Sequence, residues 1–283
     1  MNRNTAKVSY HNHGATLGKF IRLAFPLLSD LSLQEAFRNR DVKVNGLRVQ
    51  RNAVVYTDDA IEIFTMHAMR DIPRVYEDQN IVIINKPAGI SAQSDNPDEY
   101  TVQKWAEETY LPAINAQICH RLDNQTSGLM IISLNEDSHE SILAMFRSRQ
   151  IIKEYTCLCV GTPNPEDGVQ TAYLTKDADK GKVYIDKSPG KNSLKIITEY
   201  HILQKGEISR LRVILHTGRT HQIRAHLSYL GAPVLGDDVY GSRRANKEYN
   251  AKKLCLCATS LAFFGEHDLP YLNEVSFSIQ PPF

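Results

Sequence analysis

Residues 119–134 limit what this chain can fold into more than any other part of its sequence. They read C-H-R-L-D-N-Q-T-S-G-L-M-I-I-S-L. The polar first half ends at Gly128, and the apolar run at residues 129–132 is typical of a buried strand. A loop directly before a buried strand holds its side chains at the edge of a rigid sheet. The stretch therefore predicts a core strand, preceded by a loop that carries Asp123.

The polar part of this stretch has two interpretations. A short D-x-x-T-S-G segment by itself is typical of a turn whose side chains cap their own backbone. The longer string H-R-L-D-x-x-T-S-G, at residues 120–128, resembles the signature of the RluA-type pseudouridine synthases. The resemblance implies that Asp123 is the catalytic residue. It also implies that Arg121 fills the space that the target base leaves in the RNA.

Three further segments carry the same resemblance. The phrase I-N-K-P-A-G, at residues 84–89, follows a buried strand predicted at residues 81–84. A K-x-Y segment begins another strand, and in the family its tyrosine, here Tyr155, lies against the target base. The string T-G-R-T-H-Q-I-R-x-H ends at His226. In the family the arginine of this string, here Arg224, pairs with the catalytic aspartate, and an opposite charge favours the ionised carboxylate.

The histidines allow an alternative interpretation, a metal site. His216, His221 and His226 are spaced five residues apart, and His120 could join them. Two metal ligands on a helix are normally three or four residues apart, so this spacing disfavours a metal. The resemblance implies an isomerisation to which nothing is added from outside. We therefore expect no cofactor and no metal ion.

The five cysteines do not change that expectation. Two C-x-C pairs, Cys157/Cys159 and Cys255/Cys257, lie on strand-like segments. Structural zinc sites usually separate their paired cysteines by two to four residues. We expect reduced and mostly buried thiols.

The first quarter of the chain resembles the alpha-L RNA-binding domain. Thr16 precedes a helical pattern that ends near Pro26, and Ser32 with Glu35 predicts a capping box at a second helix. The segment K-V-N-G then predicts a hairpin turn, followed by a strand at residues 60–64. The turn before that strand reads T-D-D, where the family usually carries Gly-Asp. The resemblance implies phosphate contacts from five side chains: Arg38, Arg40, Lys43, Arg48 and Arg51.

Charge is distributed unevenly along the chain. The whole chain has a formal net charge of +1, but residues 1–70 contain ten Lys or Arg against six Asp or Glu, which gives +4. The basic charge is therefore concentrated where an RNA partner would be held. We predict an alpha-L-like domain at residues 1–70 and a catalytic domain at residues 71–283, with the aperiodic segment 66–73 as the linker.

The pattern of strands predicts the fold class. Alternating apolar residues recur in the later part of the chain, including residues 211–215 and 254–264. Residues 161–193 are rich in Gly, Pro, Lys and Asp and predict turns and hairpin tips. Residues 1–15 predict a loose or edge segment. The resemblance implies an α+β fold, a mixed and largely antiparallel central sheet with helices and loops around an active-site cleft.

These observations lead to one expected function and two alternatives. We expect an RNA pseudouridine synthase, an isomerase that acts on structured RNA, with large-subunit rRNA as the expected substrate and tRNA as the alternative. One alternative is a ribosome-assembly protein that binds RNA and has lost catalysis, and the other is a metal-dependent nuclease. No apolar run approaches the ~20 residues that cross a bilayer, and residue 1 is followed by no signal-peptide core. We therefore expect a cytoplasmic protein with no membrane partner, acting as a monomer.

Overall fold

The computed structural model describes residues 1–110, 112 and 115–283. The chain divides into two compact units. The first comprises Met1–Pro73 and Gly89–Ala116, and the second comprises Arg74–Ala88 and Gln117–Phe283. The compact first unit thus includes a segment, residues 89–116, that lies beyond the predicted boundary at residue 70. The functional division into an RNA-binding and a catalytic domain stays a prediction.

The first unit is a small sheet covered by helices. Its sheet is antiparallel throughout, in the order β1-β4-β2-β3. Both first helices bury apolar residues at helical spacing against the inward residues of β2 and β4. The elements are β1 (Asn2–Lys7), α1 (Leu17–Ala24), α2 (Asp30–Arg38), β2 (Val42–Val44), β3 (Leu47–Arg48), β4 (Ala60–Thr65) and α3 (Val102–Tyr110).

One prediction about local structure in this unit was wrong, and another was confirmed in part. The second helix begins at Asp30, and Ser29 is its cap, because the Ser29 hydroxyl accepts the Ser32 N–H at 3.0 Å. The predicted capping box of Ser32 and Glu35 therefore does not form. Of the two alternatives for residues 1–15, a loose segment or an edge segment, the second is confirmed for residues 2–7, which form the edge strand β1. Their mostly polar side chains hide this strand from a search for apolar alternation.

The predicted hairpin turn of the first unit is confirmed. Asn45 and Gly46 join β2 to β3 with φ of 50° and 79°, the left-handed conformations that a tight hairpin turn requires. Asp58, in the turn before β4, has φ of 73°. Aspartate tolerates this conformation better than most residues, so it can stand where the resembled family has glycine.

The second unit is built on one large sheet. Within the described residues this sheet has eleven strands, with the main order β11-β10-β12-β13-β9-β14-β8-β6-β5, while β7 pairs with β8 and β15 with β14. Among the described strands of this sheet, only β14 and β8 pair in parallel. The elements are β5 (Arg74–Glu77), β6 (Ile81–Lys86), β7 (Gln117–Ile118), β8 (Ser127–Ser133), α4 (Glu136–Arg147), β9 (Ile151–Val160), β10 (Gly168–Asp177), β11 (Lys182–Asp186), β12 (Leu194–Gln204), β13 (Ile208–Leu215), α5 (Gln222–Tyr229), α6 (Arg243–Glu248), β14 (Leu256–Phe263) and β15 (Ser276–Ser278).

The predicted fold class is confirmed by this mixed, largely antiparallel sheet and its flanking helices. The predicted core strand at residues 129–132 is the centre of β8, all seven residues of which are buried. The prediction of turns and hairpin tips at residues 161–193 was confirmed only in part: residues 178–181 form a hairpin tip, but the strands on either side of it, β10 and β11, were not predicted. Frequent Lys, Asp and Gly residues conceal these strands, which expose one face to solvent. None of the helices in residues 1–110, 112 and 115–283 is long and apolar enough to cross a membrane.

The register of the central strands brings distant parts of the chain into one row. Gly128 on β8 pairs with Ala258 on β14, Ala258 pairs with Tyr155 on β9, and Tyr155 pairs with Val213 on β13. Gly128 is at one end of this row, so the loop before β8 lies near Tyr155. Gly128 has φ of 119°, and a Cβ there would lie 2.3 Å from the Ala258 carbonyl oxygen. Only glycine allows the two strands to approach this closely.

Candidate active site

Asp123 lies in a closed turn with its carboxylate facing a cavity. The Asp123 carbonyl accepts the Thr126 N–H at 3.0 Å, which closes the turn before β8. Among the described residues, no donor forms a hydrogen bond with the Asp123 carboxylate, and 19% of the side chain is exposed. The alternative interpretation, in which this side chain caps its own backbone, is therefore wrong. The carboxylate is available to a bound molecule.

Arg224 is the cation nearest to Asp123. Its Nη1 lies 3.5 Å from Asp123 Oδ2. The Nε and Nη2 atoms of Arg224 donate to the two carboxylate oxygens of Asp237, at 2.7 and 2.9 Å. The expected pairing with Asp123 is present as an ion pair, but the hydrogen bonds of Arg224 are made to another residue. The Arg224 side chain is buried and only 4% exposed.

Asp237 was missed by the sequence analysis. It is 1% exposed, and it also accepts the backbone N–H groups of Val239 and Tyr240. Burial raises the pKa of Asp237, but the hydrogen bonds and charge of Arg224 outweigh burial and hold that pKa below its usual value. For Arg224, burial lowers the pKa and the two aspartates more than offset it, so the pKa is raised. Two adjacent aspartates after Gly236 were a visible signal, although no spacing rule connects them to Arg224.

His221 faces Asp123 from the start of α5. It is the cap residue before the first helical turn and has φ of 54°. The Tyr240 hydroxyl accepts the Val183 N–H at 2.9 Å and can therefore donate its own hydrogen to His221 Nδ1 at 3.0 Å. The His221 Nε2 then carries the hydrogen and lies 3.9 Å from Asp123 Oδ2. Burial lowers the pKa of His221, which favours this neutral form.

Tyr155 forms part of the cavity wall. Its position is fixed by pairing on both sides of β9, with Val213 and with Ala258. The side chain is 4% exposed, and burial, together with the negative charge of Asp123, raises the pKa of its hydroxyl. Tyr155 therefore stays protonated and presents an aromatic ring beside the carboxylate.

Lys86 is a second residue whose role the sequence analysis missed, although its motif had been noted. It is the last residue of β6 and is fully buried. Its Nζ donates to the carbonyl oxygens of Pro87 and Asn124, both at 3.1 Å. Burial lowers the pKa of Lys86 to about 7, against the opposing effect of Asp123. The ammonium thus holds the backbone immediately after Asp123.

The side chains around Asp123 line a cavity of about 230 Å³. Arg121, Asp123, Tyr155, His221 and Arg224 all lie in its wall. Arg121 is exposed, and no described carboxylate pairs with it. The four predicted residues of the catalytic domain are therefore brought together, and the cavity combines one carboxylate, three guanidinium groups and an aromatic face.

The histidines do not form the alternative metal site within the part of the chain that the structure describes. There, no three His, Cys, Asp or Glu side chains are grouped as metal ligands. His216 Nε2 bonds Glu199, and His226 Nδ1 bonds Thr198. His120 Nε2 accepts the Ile131 N–H at 3.1 Å. These histidines therefore have structural partners instead of a common centre.

The five cations predicted to contact RNA lie in the first unit. Four of them are exposed, and Lys43 is half-buried, with its Nζ 5.2 Å from the centre of the Phe64 ring. The Arg51 side chain packs closely over Gly18. No ion pair joins any of the five to a described carboxylate. Their charges are thus not neutralised within the described part of this unit.

Comparison with known proteins identifies the family. Residues 80–229 match the RNA pseudouridylate synthase family. Ribosomal large subunit pseudouridine synthase D of Haemophilus ducreyi is 32% identical over 255 residues, which is 84% of this chain and 77% of the relative. Synthase C of Rickettsia typhi is 28% identical over 254 residues, covering 80% of this chain and 82% of the relative.

Solved structures agree with the sequence matches. The human RNA pseudouridylate synthase domain containing 1 superposes with a TM-score of 0.61 and 26% identity, over 78% of this chain and 87% of that one. The family match covers β6, the Asp123 turn, Tyr155 and α5 together. This chain is a member of the RNA pseudouridylate synthase family.

Proposed function

We propose that this protein isomerises uridine to pseudouridine in large-subunit ribosomal RNA, with Asp123 as the catalytic carboxylate. The observation that carries the proposal is the position of the Asp123 carboxylate. It faces the cavity, forms no hydrogen bond with any described residue, and lies 3.5 Å from the buried Arg224. The relatives with matching sequences carry the names of large-subunit synthases, which supports ribosomal RNA as the substrate class.

The reaction places one main demand on the protein. The bond between N1 of uracil and C1′ of ribose breaks, the base turns, a bond forms between C5 and C1′, and the hydrogen on C5 is replaced by one on N1. A carboxylate can stabilise or trap the ribose cation, or remove a ribose proton. Each route needs an ionised carboxylate close to the ribose. Arg224 places its positive charge 3.5 Å from Asp123, and its hydrogen bonds to Asp237 hold it in position.

The other cavity residues have roles in presenting the base. The uridine must leave its stack, at a cost of a few kcal/mol, to enter the cavity. Tyr155 packs against the flipped uracil, and Arg121, exposed beside Asp123, fills the vacated space in the RNA. His221, with its Nε2 hydrogen directed towards Asp123, helps to orient the carboxylate.

The first unit holds the RNA by its phosphates in this proposal. Arg38, Arg40, Arg48 and Arg51 are exposed arginines, and Lys43 lies close to them in sequence. Such contacts position an RNA without reading its sequence. We propose that the protein acts on ribosomal RNA in the cytoplasm as a monomer.

Replacing Asp123 with Asn tests the function. We expect pseudouridine formation to fall below detection, because the amide cannot act as a nucleophile or a base, while RNA binding stays within about twofold since the shape is kept. Pseudouridine mapping of total RNA, with and without the gene, identifies the substrate uridine, and the purified wild type and variant are then assayed on that RNA.

Asp186→Asn is the control, because Asp186 is exposed and lies outside the wall of the cavity. It should retain activity. Full activity of the Asp123→Asn variant would contradict the assigned role. A wild-type protein that binds ribosomal RNA but modifies none would favour the non-catalytic alternative, and a modified uridine in tRNA would correct the substrate class.

A further inference from the structure

A second cavity of about 590 Å³ adjoins the one that contains Asp123. The two cavities share wall residues, among them His120, Lys153 and Gly218. The second cavity continues from this shared wall towards Phe146 and Arg149. A molecule that occupies the first cavity can therefore extend into the second past Lys153.

Lys153 is the cation at the junction. It lies two residues before Tyr155 on β9, so strand alternation directs it to the same face of the sheet. Its Nζ lies 5.1 Å from the centre of the Phe146 ring, and a Cβ added at Gly218 would lie 3.6 Å from it. Among residues 1–110, 112 and 115–283, no hydrogen bond or ion pair is made by this ammonium.

A cation in this position lacks the anion that it needs. Burial lowers the pKa of Lys153, because removing the charged ammonium from water costs free energy. Its chain neighbour Glu154 points to the opposite face, where its carboxylate pairs with Arg212. An anion from outside the protein, at the junction of the two cavities, would supply the missing partner.

We infer that the second cavity binds the nucleotide next to the target uridine, and that Lys153 binds the phosphodiester that joins the two nucleotides. This inference rests on the proposed function. A single anionic group between two nucleosides matches a single cation between two cavities. Lysine is a common ligand of phosphate, which it binds as a point charge.

The wall of the second cavity suits a nucleoside. Phe146 and Phe264 are half-buried and offer aromatic surface, on which any base can stack. Arg149 is exposed at the same wall and adds positive charge. Glu199 also lies there, but His216 Nε2 bonds its carboxylate at 2.7 Å. The carboxylate is thereby occupied and is less exposed to an incoming phosphate.

The test combines a change in Lys153 with a change in the RNA. The probe is a synthetic hairpin that carries the mapped uridine, with a neutral methylphosphonate placed at one of its two neighbouring linkages at a time. Lys153→Met keeps the apolar stem and removes the charge. We expect this variant to raise KM and lower kcat/KM about tenfold, since a hydrogen bond to a charged group is lost. The slope of log kcat/KM against log salt should become less steep by about 0.7.

The decisive result is the combination of the two changes. At one linkage the methylphosphonate should lower kcat/KM of the wild type about tenfold and leave that of Lys153→Met unchanged, because the same contact is already missing. Lys153→Arg keeps the charge and should retain the salt slope. Lys205→Met is the control, because Lys205 is exposed and lies outside both cavities.

Other outcomes separate this inference from the proposed function. Additive losses, or an unchanged KM and salt slope in Lys153→Met, would overturn the inference alone. If that variant does not fold, the wild type still decides, because activity that is insensitive to a methylphosphonate at either linkage would also overturn it. A wild type that forms no pseudouridine in ribosomal or transfer RNA would overturn the proposed function and this inference together.

Discussion

At the scale of single residues, the site depends on a buried ion pair beside the carboxylate that faces the cavity. Arg224 is held by Asp237 through two hydrogen bonds, and both side chains are buried. Removing one partner of such a pair is costly because the other charge stays buried. Arg224 is therefore positioned for Asp123 by a residue that does not itself line the cavity.

Asp237→Asn should lower the free energy of unfolding by about 3–5 kcal/mol, because it leaves the Arg224 charge without its carboxylate. It should also reduce kcat, since Arg224 loses its fixed position. Asp238→Asn, on the exposed neighbour, should change stability by less than about 0.5 kcal/mol. Urea unfolding and pseudouridine assays of the two variants measure both effects, and equal stabilities would contradict the role given to Asp237.

His226 makes stability depend on pH. Gln222 donates to the Thr198 hydroxyl, which is thus free to donate to His226 Nδ1, and burial lowers the pKa of His226 to about 4. Between about pH 4 and 6.5 the unfolded chain binds more protons at this site than the folded one. The neutral His226 therefore contributes about 3 kcal/mol to the free energy of unfolding above pH 6.5. This contribution is lost as the pH falls to about 4.

His226→Gln should remove this part of the pH dependence, because the amide oxygen can accept the Thr198 hydrogen without titrating. Urea unfolding at pH 7, 5.5 and 4.5 should show that the free energies of unfolding of wild type and variant become more similar as the pH falls. His201→Gln is a control of opposite sign, since Glu199 and Asp167 raise the pKa of His201. If the difference in free energy of unfolding between wild type and His226→Gln stayed constant with pH, the titration of His226 would be excluded as a cause of the pH dependence.

At the scale of elements, the site depends on how closely β8 approaches β14. These strands form the parallel pairing of the sheet, and Gly128 stands at the point of contact, immediately after the loop that contains Asp123. A Cβ at Gly128 would lie within 2.5 Å of both the nitrogen and the oxygen of Ala258. Gly128 thus allows β8 to pair closely with β14, and this pairing fixes the position of the loop that contains Asp123.

Gly128→Ala should destabilise the protein by more than about 4 kcal/mol or prevent folding, because backbone atoms must move apart. Gly168→Ala is the matched control. Gly168 also has a positive φ, 106°, but no atom lies within 4 Å of an added Cβ, so only the conformational cost of about 1–3 kcal/mol applies. Thermal and urea unfolding compare the two, and a Gly128→Ala variant as stable as Gly168→Ala would refute the steric argument.

At the scale of the whole molecule, the charge of the first 70 residues is the main feature. This part carries +4, whereas the remaining residues carry −3. RNA affinity should therefore depend on salt mainly through this part of the chain. Its unpaired charges include four exposed arginines: Arg38, Arg40, Arg48 and Arg51.

Changing these four arginines to Gln together should weaken RNA binding and reduce the slope of log affinity against log salt by about 3, because four phosphate contacts are lost. The value of kcat at saturating RNA should be kept. Filter binding at several salt concentrations measures the slope. The control changes four exposed lysines of the second unit to Gln: Lys176, Lys187, Lys191 and Lys195. Equal slopes for the two variants would contradict the proposed RNA surface.

The sequence by itself determined several local elements, and it predicted four residues that the structure brings together at one cavity. The apolar run before Ser133, the Asn45-Gly46 turn and the alternation around Tyr155 depend on neighbouring residues, and all three were predicted correctly. The polar strand β10 was missed. Its formation depends on pairing with a distant partner and not on an apolar pattern of its own.

Only the tertiary structure decided which side chains contact one another at the site. The link between Arg224 and Asp237 depends on where a turn after α5 returns, and the burial of Lys86 depends on the fold around the Asp123 loop. The path from one cavity to the next past Lys153 depends on two strands, β9 and β13, and two loops meeting. Contact between side chains that are far apart in the chain is set by packing and register, and a local sequence pattern carries no information on either.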